Sequence, residues 1–186
     1  TFHTVLKDLK KKYPTTGHSE AFIRFIETEL QPYINKQYKT NNTRYLIGQS
    51  LGGLLASEIL LKKSFLFTHY LIVSPSLWWD DESMLKAAPE LIAQQDLTGK
   101  FVYVSVGKQE DKIMQKEASQ LYELLKKSGK PGTATLRRLR PGSSRIMIPP
   151  MAPGIRASMP RTMTVNTSAS ATPRASKAKA SRPRAW

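Results

Sequence analysis

Gly48-Gln49-Ser50-Leu51-Gly52 is the one stretch whose residue types and spacing suit nucleophilic chemistry. A serine hydroxyl attacks a carbonyl only when a base takes its proton and a third group orients that base. Tyr45-Leu46-Ile47 precedes the stretch as a short apolar run, which reads as a buried strand. Leu54, Leu55, Ile59 and Leu60 follow at helical spacing. Strand, G-x-S-x-G and helix together form the nucleophile-elbow pattern, a strained turn that lifts the serine above a sheet. Gly48 and Gly52 are expected to let the backbone turn where side chains would collide. The backbone N–H of Leu51, opening the helix, would face the oxyanion of a tetrahedral intermediate. The plainer alternative is a strand–turn–helix with no chemistry.

Other elements must position such a site. Ser19 reads as an N-cap, and Phe22, Ile23, Ile26, Leu30, Tyr33 and Ile34 fall on one helical face. Pro32, near the end of that pattern, is expected to kink or close the helix. After the elbow, Tyr70-Leu71-Ile72-Val73 predicts a second buried strand, then the loop "SPSLWWDD" and a short helix interrupted at Pro89. Residues 101–106, "FVYVSV", predict a third strand. Met114, Ala118, Leu121 and Leu125 mark a helix ending at Gly129, and Thr133 to Leu139 a last strand. Strands alternating with helices predict an α/β class, a parallel sheet flanked by helices.

The 186 residues carry a formal charge of +15, distributed unevenly. Every acid lies at or before Glu123, whereas Arg137 to Trp186 holds nine Arg, two Lys and no acid. Beyond about residue 140 no strand or helix period holds, and Pro, Ser, Ala and Arg dominate. Residues 1–140 are therefore read as one domain and 141–186 as a disordered basic tail. The absence of cysteine excludes disulfides, thiolate metal sites and a cysteine nucleophile. No apolar run approaches the roughly 18 residues that span a bilayer, so no membrane partner is expected. The chain starts at Thr1, which reads as a fragment.

"FIRFIETELQPYI", "GQSLGGLLA", "YLIVSPSLWW" and "FVYVSVGKQE" resemble the putative-esterase family of α/β-hydrolases over about residues 13–136. That family includes esterase D-like enzymes and the esterases that cleave iron–siderophore lactones. Ser-Pro-Ser-Leu-Trp-Trp after a strand points to the siderophore-esterase-like branch. The resemblance implies a partial α/β-hydrolase fold and an acyl-ester hydrolase with a small-molecule ester substrate. It implies a serine nucleophile, a histidine base and an acidic orienter, with no metal or organic cofactor.

Chain order in α/β-hydrolases is serine, acid, histidine. Glu110 in "SVGKQEDK" resembles the family's acid, with Asp111 as fallback; two acids at a helix start could also merely favour its dipole. The base is harder to place. His3, His18 and His69 all precede Glu110, and each reads as a surface or structural histidine. "LRPGSSRIMIPP" resembles the family's histidine loop but carries Arg145 there, and arginine cannot take a proton at working pH. The family's second oxyanion donor comes from a loop upstream of the first helix, so half the oxyanion hole is expected here. Divergence after about residue 136 is of the kind an out-of-frame translation could produce. Trp78 and Trp79 either wall a pocket for the acyl group or plug the core.

Two functions remain open from sequence. One is a serine esterase impaired by its missing base and front loop. The other is a non-catalytic hydrolase-derived protein whose tail binds nucleic acid or an acidic partner, weakly, since the tail has no aromatic residue before Trp186. Oligomeric state leaves no mark in the sequence.

Overall fold

The computed structural model describes residues 11, 13–139, 145–147 and 162–164. Contacts divide the chain into two units, Thr1–Pro141 and Gly142–Trp186.

The first unit is built on a four-stranded parallel sheet in the order β1 (Tyr45–Gln49), β2 (His69–Val73), β3 (Phe101–Gly107), β4 (Thr133–Leu139). Tyr45 pairs with His69, His69 with Phe101 and Phe101 with Thr133. All four strands therefore end at one edge of the sheet, where the connecting loops gather. Tyr70–Val73 and Val102–Val106 are buried on both faces, which is why these runs are apolar throughout rather than alternating. Edge strand β1 is only partly covered.

Helices make the crossovers. α3 (Leu51–Lys62) joins β1 to β2, α4 (Trp79–Gln94) joins β2 to β3, and α5 (Lys112–Ser128) joins β3 to β4. Leu54, Ile59, Leu60 and Leu61 of α3 pack with Tyr70, Ile72, Val102, Val104, Leu121 and Leu125 in one core. Glu58 of α3 is fully buried and ion-pairs with Lys62 at 2.8 Å. α5 ends at Gly129, whose φ of 62° is the left-handed C-terminal conformation that glycine adopts without strain.

Two expectations about the helices change. Ser19 is not a cap but the first residue of α1 (Ser19–Phe25), with His18 in the capping position at φ 62°. The long apolar face is also broken: a π-helical segment, Ile26–Leu30, separates α1 from α2 (Gln31–Gln37). Pro32 lacks the N–H that would pair with the carbonyl of Thr28, and a π segment takes up that break in the ladder. Ile23 and Ile26 are buried, while Phe22, Leu30, Tyr33 and Ile34 remain exposed.

Nor does Pro89 interrupt its helix. α4 runs through it, with Ala88 and Ile92 buried on either side. The irregularity lies earlier, where Asp80, Asp81 and Glu82 all take left-handed backbone angles, φ 55° to 57°. Of the second unit, Arg145–Met147 (β5) and Thr162–Thr164 (β6) form an antiparallel ladder pairing Arg145 with Thr164. The expected tail thus contains a short stretch of regular pairing, at β-branched Ile146, Thr162 and Thr164.

Candidate active site

Ser50 stands between β1 and α3 with φ 56° and ψ −118°, a conformation rare for any residue with a side chain. Its N–H donates to Val73 O at 3.1 Å, and its carbonyl accepts from Leu54 N–H at 3.0 Å and Ser76 N–H at 3.1 Å. The neighbouring strand and the helix thus over-determine a backbone that would relax if free. Ser50 is exposed at the strand-end edge. Leu51 follows as the first helical residue, so its N–H has no partner within the helix. It is also exposed.

The glycines divide the work differently from the expectation. A Cβ on Gly48 would sit 2.0 Å from the carbonyl oxygen of Gly52, so strand and helix start can meet only over a bare Cα. A Cβ on Gly52 would meet nothing within 4 Å. Gly53 is the second constrained position, 2.9 Å from Pro75 Cα. The turn thus needs the first glycine of the motif and the residue after it, because α3 is pressed against the loop that follows β2.

The loop after β3 brings the acid. Glu110 Oε1 accepts a 2.6 Å hydrogen bond from Ser74 Oγ. The side chain folds back over Gly107, where a Cβ would lie 2.9 Å from the same oxygen. Its other oxygen, Oε2, is buried without a hydrogen-bond partner among the described residues. A buried carboxylate oxygen left open is unusual and asks for a donor. Asp111 is otherwise engaged, since it caps α5 by accepting from Ile113 N–H at 2.7 Å. Between the two acids, geometry favours Glu110 as the one turned towards the loops.

His69 does not approach this corner by strand position. His69 opens β2, at the end of the sheet opposite Ser50. It lies between Tyr45 and Phe101 and bonds Thr68 Oγ1 at 2.8 Å, and burial lowers its pKa below the ordinary range. His18 precedes α1. His3 lies outside the described residues, and Arg145 belongs to the second unit, where only its strand pairing is described.

The tryptophan pair separates. Trp79 is buried, packed against Tyr13 at 5.5 Å and Trp78 at 5.7 Å. Trp78 is 44% exposed and presents an aromatic surface on the loop after β2. Beneath them lies a group the sequence did not single out. Glu117 of α5 is completely buried, and burial, reinforced by the charge of Glu82, raises its pKa to about 7. Neither of its oxygens closes a hydrogen bond among the described residues, although the Trp78 backbone N–H offsets part of the rise. A helix-face count would have flagged it, one residue before the apolar Ala118.

A groove of about 580 Å³ opens elsewhere, lined by Phe22, Ile26, Leu30, Ile34, Leu46 and Leu55 among others. None of the candidate site residues borders it. Among the described residues no group of three His, Asp or Glu side chains could hold a metal ion, and no helix is long and apolar enough to cross a membrane.

Comparison with known proteins decides the family. Residues 2–133 match the family model described as "Putative esterase". The chain belongs to that family. It is 37% identical over 84 residues to the ferri-bacillibactin esterase BesA of Bacillus subtilis, covering 45% of this chain and 29% of that one. Among solved structures, the BES protein from Bacillus cereus matches with a TM-score of 0.57 and 32% identity, over 70% of this chain and 50% of that one. An IroE-like serine hydrolase from Shewanella oneidensis matches with a TM-score of 0.58 and 28% identity, over 67% of this chain and 42% of that one. The fold is thus that of the α/β-hydrolase esterases, and the chain spans half or less of the length of these relatives.

Proposed function

We propose that the chain carries the nucleophile and acid of a serine ester hydrolase, and that its substrate class is the ester bonds of iron-chelating siderophores. The observation that supports this most is Ser50 itself, held exposed in a strained backbone at the strand-to-helix junction. Ser50 Oγ attacks the ester carbonyl, the alkoxide leaves with a proton, and water then releases the acyl group from Ser50. Leu51 N–H steadies the oxyanion. Glu110 offers Oε2 to whichever group takes the serine proton, as the acid of a triad does. Trp78 gives an exposed aromatic face for the substrate, while Trp79 supports it from the core. The siderophore class rests on the relatives, since BesA is named for a ferri-bacillibactin ester.

The base is the weak member. With Arg145 where the family resemblance puts histidine, turnover by this chain is small, since loss of one triad member costs several orders of magnitude. A fluorophosphonate probe is expected to label Ser50 slowly, and Ser50→Ala to abolish the labelling. Arg145→His is expected to raise p-nitrophenyl butyrate hydrolysis modestly. Labelling of a different serine, with none at Ser50, would overturn the reading. Fast Ser50-dependent turnover by the unaltered chain would keep the hydrolase and make His18 the histidine to mutate next, since His69 lies at the opposite end of the sheet.

A further inference from the structure

We propose that Ser74 and Ser76, on the loop after β2, are positioning residues for the hydrolytic site, Ser74 aiming Glu110 and Ser76 holding Ser50. This rests on the ester-hydrolase reading above and names two residues that it does not use. The tripeptide Ser74-Pro75-Ser76 touches both the nucleophile and the acid of that site. Ser74 N–H donates to Ser105 O at 2.7 Å, which ties the loop to the end of β3. Ser74 Oγ donates to Glu110 Oε1 at 2.6 Å, a charge-assisted bond short enough to fix the carboxylate plane. With Oε1 held, Oε2 is the oxygen left to accept from a base. Pro75 lies against Gly53, at the start of the elbow helix. Ser76 N–H holds the Ser50 carbonyl at 3.1 Å, and its Oγ lies 3.3 Å from Ser50 Oγ.

Backbone strain separates use from mere packing. Ser74 has φ 43°, in the left-handed region where a side chain is disfavoured and glycine is not. It is also 4% exposed, so its hydroxyl gains nothing from water. Glycine would satisfy the turn at lower conformational cost. What serine adds at that position is the hydroxyl, and that hydroxyl is spent on Glu110. Ser76 is buried to 2% exposure with its hydroxyl facing the nucleophile. A short, strained loop thus couples nucleophile and acid, which come from different strands.

The test uses the intact chain and a fluorophosphonate probe, measuring the saturating rate of Ser50 labelling, the probe's half-saturation concentration and the thermal midpoint. Ser74→Gly removes the hydroxyl and relieves the backbone, so it keeps the fold. Positioning predicts that Ser74→Gly and Ser76→Ala each slow labelling about tenfold with half-saturation unchanged, the size of losing one hydrogen bond to a reacting group. For Ser74→Gly the midpoint is expected to change by only a few degrees, since relief of the φ 43° backbone offsets part of the lost bond. In a Glu110→Ala background Ser74→Gly should cost nothing more, because the carboxylate that Ser74 aims is already gone. Wild-type labelling by Ser74→Gly, or losses that multiply with Glu110→Ala, would overturn the proposal while leaving the hydrolase intact. No labelling of Ser50 in the unaltered chain would instead overturn the hydrolase reading, and the positioning roles with it.

Discussion

The elbow corner and the N-terminal helix pair show opposite relations between pattern and packing. At the corner, Gly48, Ser50, Ser74, Ser76 and Glu110 come from the ends of three strands and the turns that follow them, yet backbone and side chains interlock within ordinary contact distances. In the helix pair, six apolar residues share a face by spacing, but only Ile23 and Ile26 are buried. Tight backbone geometry leaves a turn few alternatives. An amphipathic face states only that something apolar can cover it, and a π segment can rotate part of it away.

The sharpest way to break that contrast is at the glycines. Gly48→Ala places a methyl 2.0 Å from backbone oxygen that cannot move without unseating α3. It is expected to cost about 4 kcal/mol or to prevent folding, since backbone collisions in a core exceed ordinary substitutions. Gly52→Ala, with open space around it, should be neutral or stabilising by up to about 1 kcal/mol as a helix residue. Urea denaturation of the two variants gives the difference directly. Equal costs would mean that the motif, not the packing, sets the turn.

The helix pair gives a smaller difference. Ile23→Ala should destabilise by about 2–4 kcal/mol, and Phe22→Ala, on the same face but 51% exposed, by less than about 1 kcal/mol. Thermal midpoints of the two variants test whether spacing or burial governs the face.

Glu117 puts a titrating group beside the corner, where the helix pair has none buried. Its pKa is raised from 4.5 to about 7 by burial and then by Glu82. The native state therefore holds a proton that the unfolded chain has lost, and stability falls as pH rises between about 4.5 and 7. Glu117→Gln should remove that part of the decline and be the more stable protein at pH 8. Melting curves at pH 5 and pH 8 suffice. A wild-type-like slope in the variant would mean that Glu117 is ionised in the fold.

The smallest effect is expected at the far end. Ending the chain after Pro141 should shift the melting midpoint by no more than a degree or two, and should abolish any weak, salt-sensitive binding to nucleic acid. A loss of several degrees would give the basic segment a structural part.

Much of the frame was legible because it depends on short-range regularities. Apolar runs such as "YLIV" and "FVYVSV" are strands because a sheet covered on both faces needs side chains that tolerate burial on both. Glycine at 48 and serine at 50 announced the turn, and a strand ending in Gly107 placed Glu110 in a loop at the same edge. Tertiary structure decided what no local window contains. It chose Gly53 over Gly52, because the obstruction is Pro75 from another loop. It made Asp111 a cap and Glu110 the open carboxylate. It buried Trp79 and exposed Trp78, neighbours of identical type, because successive side chains of one loop face different surroundings. It also joined Ser74 to Glu110 across 36 positions of sequence. Local pattern fixes which backbone shapes a segment can take, whereas the partner of a side chain depends on segments distant in the chain.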